Sequence, residues 1–110
     1  MVKVSVYKNE NNEYVGFTAC GHAGYAESGE DVVCAAISIL TINTINAIEE
    51  FTDVKSSLTS NDEEGRIDYR ITGTPTKESE LLFKAMVLGL QNLEEEESYS
   101  AYIDLIFEEV

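Results

Sequence analysis

Cys20, His22 and Cys34 fall within CGHAGYAESGEDVVC, residues 20–34 of a 110-residue chain with no other cysteine or histidine. A thiol is nucleophilic only when ionised, and an imidazole exchanges protons near neutral pH. Brought together by folding, the two types form the nucleophile and base of acyl transfer. The residue types also fit a structure without chemistry. A cysteine in VVCAA reads as a small buried hydrophobe, and a histidine in GHAG as a surface loop residue.

Position decides how far local effects favour a reactive Cys34. With Asp31 as N-cap, Cys34 is the third helical position; with Ser28 as cap and Asp31 closing a capping box, it lies one turn deeper. Both place it near the positive end of the helix dipole, which favours a thiolate. An unperturbed thiol of pKa ~8.5 needs a shift of about two units, roughly 2.7 kcal/mol, to be mostly ionised at pH 7. A helix end contributes about 0.3 to 1 kcal/mol, so a neighbouring cation or base is required. His22 is the one histidine available, and Glu27, Glu30 and Asp31 would favour its charged form.

Other assignments remain open at this level. On a continuing strand Cys20 would share a face with His22 and compete as nucleophile. Zinc held by Cys20, His22 and Cys34 fits none of the usual paired-ligand spacings, so neither metal nor cofactor is expected. Ser38 lies one helical turn after Cys34 and is placed either to bond near the thiol or to bond back to its own helix. Gly21, Gly24 and Gly29 let a loop approach a substrate or close as a lid, or serve turn geometry alone.

The elements that must position these residues follow from hydrophobic period. Val2, Val4 and Val6, then Val15, Phe17 and Ala19, alternate around the polar turn KNENNE and predict a β-hairpin. Residues 21–30 read as loop. DVVCAAISILTINTINAIEEF, residues 31–51, predicts a helix whose first half is apolar nearly all round, so a second helix or a partner subunit must cover it. Residues 54–59 and 65–72 predict a weaker strand pair around SNDEEG, with Ile67, Tyr69 and Ile71 on one face. Thr74 and Thr76 offer N-caps for a second helix to about residue 93 carrying a Leu82, Met86, Leu90, Leu93 stripe, with Glu94 to Glu97 its solvated end. Ala101, Ile103, Leu105 and Phe107 close with a strand. The expected fold is α+β, ββαββαβ, a mostly antiparallel five-stranded sheet packed with two helices in one domain over residues 1–110.

Composition narrows the function classes. Twenty-one acidic residues against seven basic ones give a formal charge of -14. That field repels phosphate backbones and anionic membranes and attracts a basic partner. MVKVSVYK lacks the apolar core of a secretory signal, and no apolar run is expected to approach the ~20 residues of a membrane span. The location inferred is cytoplasmic, and there the two cysteines should remain thiols.

GHAGYAESGEDVVCAAIS resembles the signature of the ribosomal-processing cysteine protease Prp family, with histidine, glycines, aspartate, cysteine and serine in register. The likeness extends over the whole chain in length, acidity and element order. It implies a homodimeric endopeptidase that removes a short N-terminal extension from large-subunit ribosomal protein 27, cleaving just after an aromatic residue. It places the nucleophile on Cys34 and the general base on His22, with Asp31 and Ser38 in supporting positions, and gives Cys20 no role. The competing class is a noncatalytic acidic module that binds a basic ribosomal protein or assembly factor. Such a module would keep its function in Cys34→Ser and lose it on charge reversal.

Overall fold

The computed structural model describes residues 1–21 and 28–110, with the side chains of 28–31 left aside. The elements are β1 (Val2–Lys8), β2 (Tyr14–Cys20), α1 (Ser28–Phe51), β3 (Ser56–Asn61), β4 (Arg66–Ile71), α2 (Lys77–Glu95), a 3₁₀ turn (Ser100–Tyr102) and β5 (Ile103–Glu109). The sheet order is β3-β4-β2-β1-β5. Every pairing is antiparallel except β1 with β5, whose register runs from Val2 opposite Ile103 to Lys8 opposite Glu109. This is the α+β order ββαββαβ read from the sequence.

The strand period sorts the side chains into two faces. Val4, Val6, Phe17, Ala19, Tyr69, Ile71 and Ile103 face the helices and join one core with Val33, Ile37, Ile45 and Ile48 of α1 and Phe83, Met86, Val87 and Leu90 of α2. Tyr69 packs against Phe17 and Phe83, with ring centroids 5.9 and 6.4 Å away. The other face is polar. There the Tyr7 hydroxyl bonds Thr18 Oγ1 at 2.9 Å, Thr18 bonds Asp68 at 3.3 Å, and Arg70 Nε donates to Asp68 at 2.9 Å. The Arg70 guanidinium lies 3.8 Å from the Tyr7 ring centroid. Gly16 permits this layering, since a Cβ there would fall 2.3 Å from the Tyr69 carbonyl oxygen.

Several expectations need correction. The helix α1 begins at Ser28, so Asp31 is inside it and is not its N-cap, and Gly29 is helical and not a loop glycine. A helical glycine costs about 1 kcal/mol relative to alanine, less than the sheet-packed run beginning at Val33 returns. The stripe of α2 centres on Phe83, Met86, Val87 and Leu90, with Leu82 and Leu93 only partly buried beside it. Ala101 belongs to the 3₁₀ turn and β5 starts two residues later. Val32–Phe51 is also long and apolar enough to cross a bilayer by length and composition, contrary to expectation. Here its Val33, Ile37, Ile45 and Ile48 face is spent in the core.

The start of α2 follows the expected chemistry. Thr76, just after Pro75, accepts the Ser79 N–H at 3.2 Å, while Ser79 Oγ accepts the Thr76 N–H at 3.0 Å. Gly89 brings α2 against α1, because a Cβ there would lie 2.8 Å from Leu40 Cδ2. This helix covers only part of the apolar surface of α1, and Ile39 remains 69% exposed.

Candidate active site

Cys34 is the seventh residue of α1, half-buried, with its side chain against the edge of the core. It opens into a cleft of about 250 Å³. The walls are Cys34 and Ser38 from α1, Gly21 just after β2, Asn61 at the end of β3 with Asp62 and Gly65 of the turn that follows, and Arg66 and Ile67 from β4. The helix sets Cys34 and Ser38 one turn apart on one side, and the strand period turns Ile67 toward them. The cleft thus joins a thiol, an apolar contact and polar rim groups in a space that fits a short stretch of peptide.

The depth of Cys34 in α1 alters its electrostatics. The dipole effect fades after the first turn, so Cys34 draws less from it than a third-position residue would. Its own N–H is committed to the helix, and within α1 the N–H groups without an intrahelical partner are those of residues 28–30. The need for a neighbouring base is therefore that of the deeper of the two placements read from the sequence.

The two thiols are well separated in role. Ala19 is buried on the helix side of β2, so Cys20 points to the other face, with its sulfur 3.8 Å from the Glu64 carbonyl oxygen. Both cysteines are free. Cys20 and Cys34 thus lie on opposite sides of the sheet, which sets apart two of the three zinc ligands considered. The strand also stops at Cys20, and Gly21 turns the chain at φ 139°. The argument that Cys20 and His22 share a strand face therefore lapses. His22 and Gly24 lie outside the described residues, as does the Asp31 side chain.

Sequence reasoning passed over the β3–β4 turn. Asn61, Asp62, Gly65 and Ile67 border the thiol cleft, yet by sequence SNDEEG is an acidic turn and nothing more. The available signal was the spacing of Asn61 and Gly65, a pattern that specifies a tight turn. Where that turn would dock was not encoded locally.

The family model for cysteine protease Prp matches residues 1–104. The chain belongs to the cysteine protease Prp family. It is 30% identical over 96 residues to the ribosomal processing cysteine protease Prp of Staphylococcus aureus, covering 87% of this chain and 91% of that protein. Among solved structures, it is similar to the Staphylococcus aureus ribosomal processing protease Prp in complex with a substrate peptide. That match has a TM-score of 0.89 and 29% identity over 98% of this chain and 100% of the other. The same Staphylococcus aureus protease in complex with a covalently linked product peptide matches at a TM-score of 0.85 and 30% identity, again over 98% and 100% of the two chains. The ββαββαβ architecture is therefore that of Prp proteases, and the class of chemistry is cysteine proteolysis.

Proposed function

We propose that residues 1–110 form one catalytic domain that removes the N-terminal extension of large-subunit ribosomal protein 27, with Cys34 as nucleophile and His22 as general base. The observation that carries this is the cleft shared by the half-buried Cys34 thiol and Gly21, the residue that leads directly into His22. The substrate and covalent product complexes of the Staphylococcus aureus relative support the same chemistry.

The Cys34 thiolate attacks the scissile carbonyl carbon, and the amide electrons pass to oxygen. Collapse of this intermediate expels the amine, which takes its proton from the His22 imidazolium, and leaves a thioester on Cys34. The neutral imidazole then removes a proton from water, and the resulting hydroxide attacks the thioester. The extension leaves as a carboxylate and the thiol returns. Free N–H groups of the first turn of α1 are the candidate donors to the oxyanion. Asp31 and Ser38 support the pair, Ser38 from the same cleft wall as Cys34. Gly21, which borders the cleft, and Gly24 accommodate the substrate backbone. The net charge of -14 favours a basic ribosomal protein over nucleic acid or an anionic membrane, in keeping with a cytoplasmic enzyme. Incubation with a peptide spanning the extension should yield a single cut just after an aromatic residue. An uncut peptide would defeat the substrate assignment.

A homodimer accounts for the apolar surface that α2 leaves open. Ala36, Ile39 and Leu40 of α1 face Gly89 and Leu93 of α2 across a groove of about 550 Å³, and Val32 and Ile42 are exposed nearby. Ile39→Glu would bury a charge at such an interface, so it should convert the dimer to monomer in sedimentation velocity. A wild-type protein that sediments as a monomer at all concentrations would refute this assignment.

A further inference from the structure

The β3–β4 turn touches the chain at the point where it leaves β2 for His22. Gly21 donates its N–H to the Gly65 carbonyl at 3.2 Å. Gly65 has φ 60° and Gly21 has φ 139°, both values that side-chain-bearing residues adopt at a cost. On its other side Gly21 is closed in, because a Cβ there would come within 2.9 Å of the Met1 carbonyl oxygen and 3.0 Å of Val2 Cα. Gly21 is therefore clamped between β1 and the turn, and its direction is fixed from both sides.

The turn itself is built for constancy. The Asn61 side-chain oxygen accepts the N–H groups of Glu63 and Glu64 at 3.0 and 3.3 Å, and Gly65 donates its own N–H to the Asp62 carbonyl at 3.2 Å. Asn61 and Gly65 thus each fasten part of the same turn, and both border the Cys34 cleft.

We infer that Gly65 and Asn61 are positioning residues for proteolysis, the Gly65 carbonyl fixing the exit of β2 so that His22 is delivered to Cys34. This inference rests on the pairing of His22 with Cys34. Neither residue carries a proton in the reaction. They act by restricting where the imidazole arrives, and an imidazole out of reach leaves the thiol closer to an ordinary cysteine.

The test is the rate of iodoacetamide alkylation of Cys34 against pH, in a Cys20→Ser background. His22→Ala should move the midpoint of the wild-type profile up. Gly65→Val, which disfavours the left-handed conformation, should move it the same way and slow alkylation at pH 7 by about tenfold. Gly65→Asn tolerates that conformation and should restore the wild-type profile. Asn61→Ala loosens the turn without straining the backbone and should give an intermediate shift, so it reports even if Gly65→Val does not fold. If His22→Ala shifts the midpoint while Asn61→Ala and a folded Gly65→Val do not, the positioning role is wrong and the dyad stands. If His22→Ala leaves the midpoint unchanged, the dyad reading fails and takes this inference with it.

Discussion

Cys34→Ser and His22→Ala should each abolish cleavage of the extension peptide, while Cys20→Ser should retain it within about twofold. The expected loss is at least about a thousandfold, since removing one member of a nucleophile and base pair costs nearly as much as removing both. The reason lies in the placement of the two thiols. Cys34 opens into the cleft, whereas Cys20 sits on the opposite face of the sheet against the β3–β4 turn. Mass spectrometry of the cleaved peptide, together with trapping of an acyl-enzyme on the chain, distinguishes the cases. Loss of cleavage in Cys20→Ser with a folded protein would overturn the assignment, as would cleavage surviving in Cys34→Ser.

The largest stability effects should be found at Tyr69. Its side chain is completely buried between Phe17 and Phe83, so Tyr69→Ala should cost about 3 to 5 kcal/mol in denaturant unfolding. Tyr69→Phe should behave differently. Among the described residues the buried Tyr69 hydroxyl has no hydrogen-bond partner, and such a group costs about 1 to 3 kcal/mol, so the phenylalanine variant should equal or exceed wild type. The phenol also carries a pH signature. Burial pushes its pKa up and the Glu49 carboxylate adds to the rise, while nearby Ser56 pulls the other way without completing a hydrogen bond. A pKa raised in the folded state means that the fold holds its proton longer than the unfolded chain does. The contribution is present in full below the ordinary tyrosine value of about 10 and is lost as pH climbs through the raised value. Wild type should lose stability in that alkaline range, and Tyr69→Phe should lose less. Equal loss in both would show that other groups govern alkaline unfolding.

Sequence alone disclosed the elements that rest on local period. Val2, Val4 and Val6 alternate because one face of β1 is buried, and the same logic recovered β2 and the Ile67, Tyr69, Ile71 face of β4. The sequence leaves the start of α1 open between Ser28 and Asp31, because a glycine at position 29 and acidic neighbours argue for a loop, while packing of the residues that follow carries the helix back to Ser28. Phe83 was overlooked because the leucines beside it fit the same helical stripe, and only the sheet beneath decides which edge of the stripe is central. In the site, Cys34 and Ser38 were legible as neighbours one turn apart. Gly65 and Asn61 were not, because their place beside Cys34 depends on β4 pairing with β2, with Cys20 opposite Arg66, a choice no local pattern announces.

The parallel ladder between β1 and β5 has a consequence for how the chain acquires its shape. Val2 must meet Ile103, so nearly the entire polypeptide emerges before the final pairing forms. Loop-closure entropy of that span is paid before the pairing returns anything, which places this fold among the slower small domains. In the interval β1 offers one open edge beside its valines, a template for pairing with other chains that closes when β5 arrives.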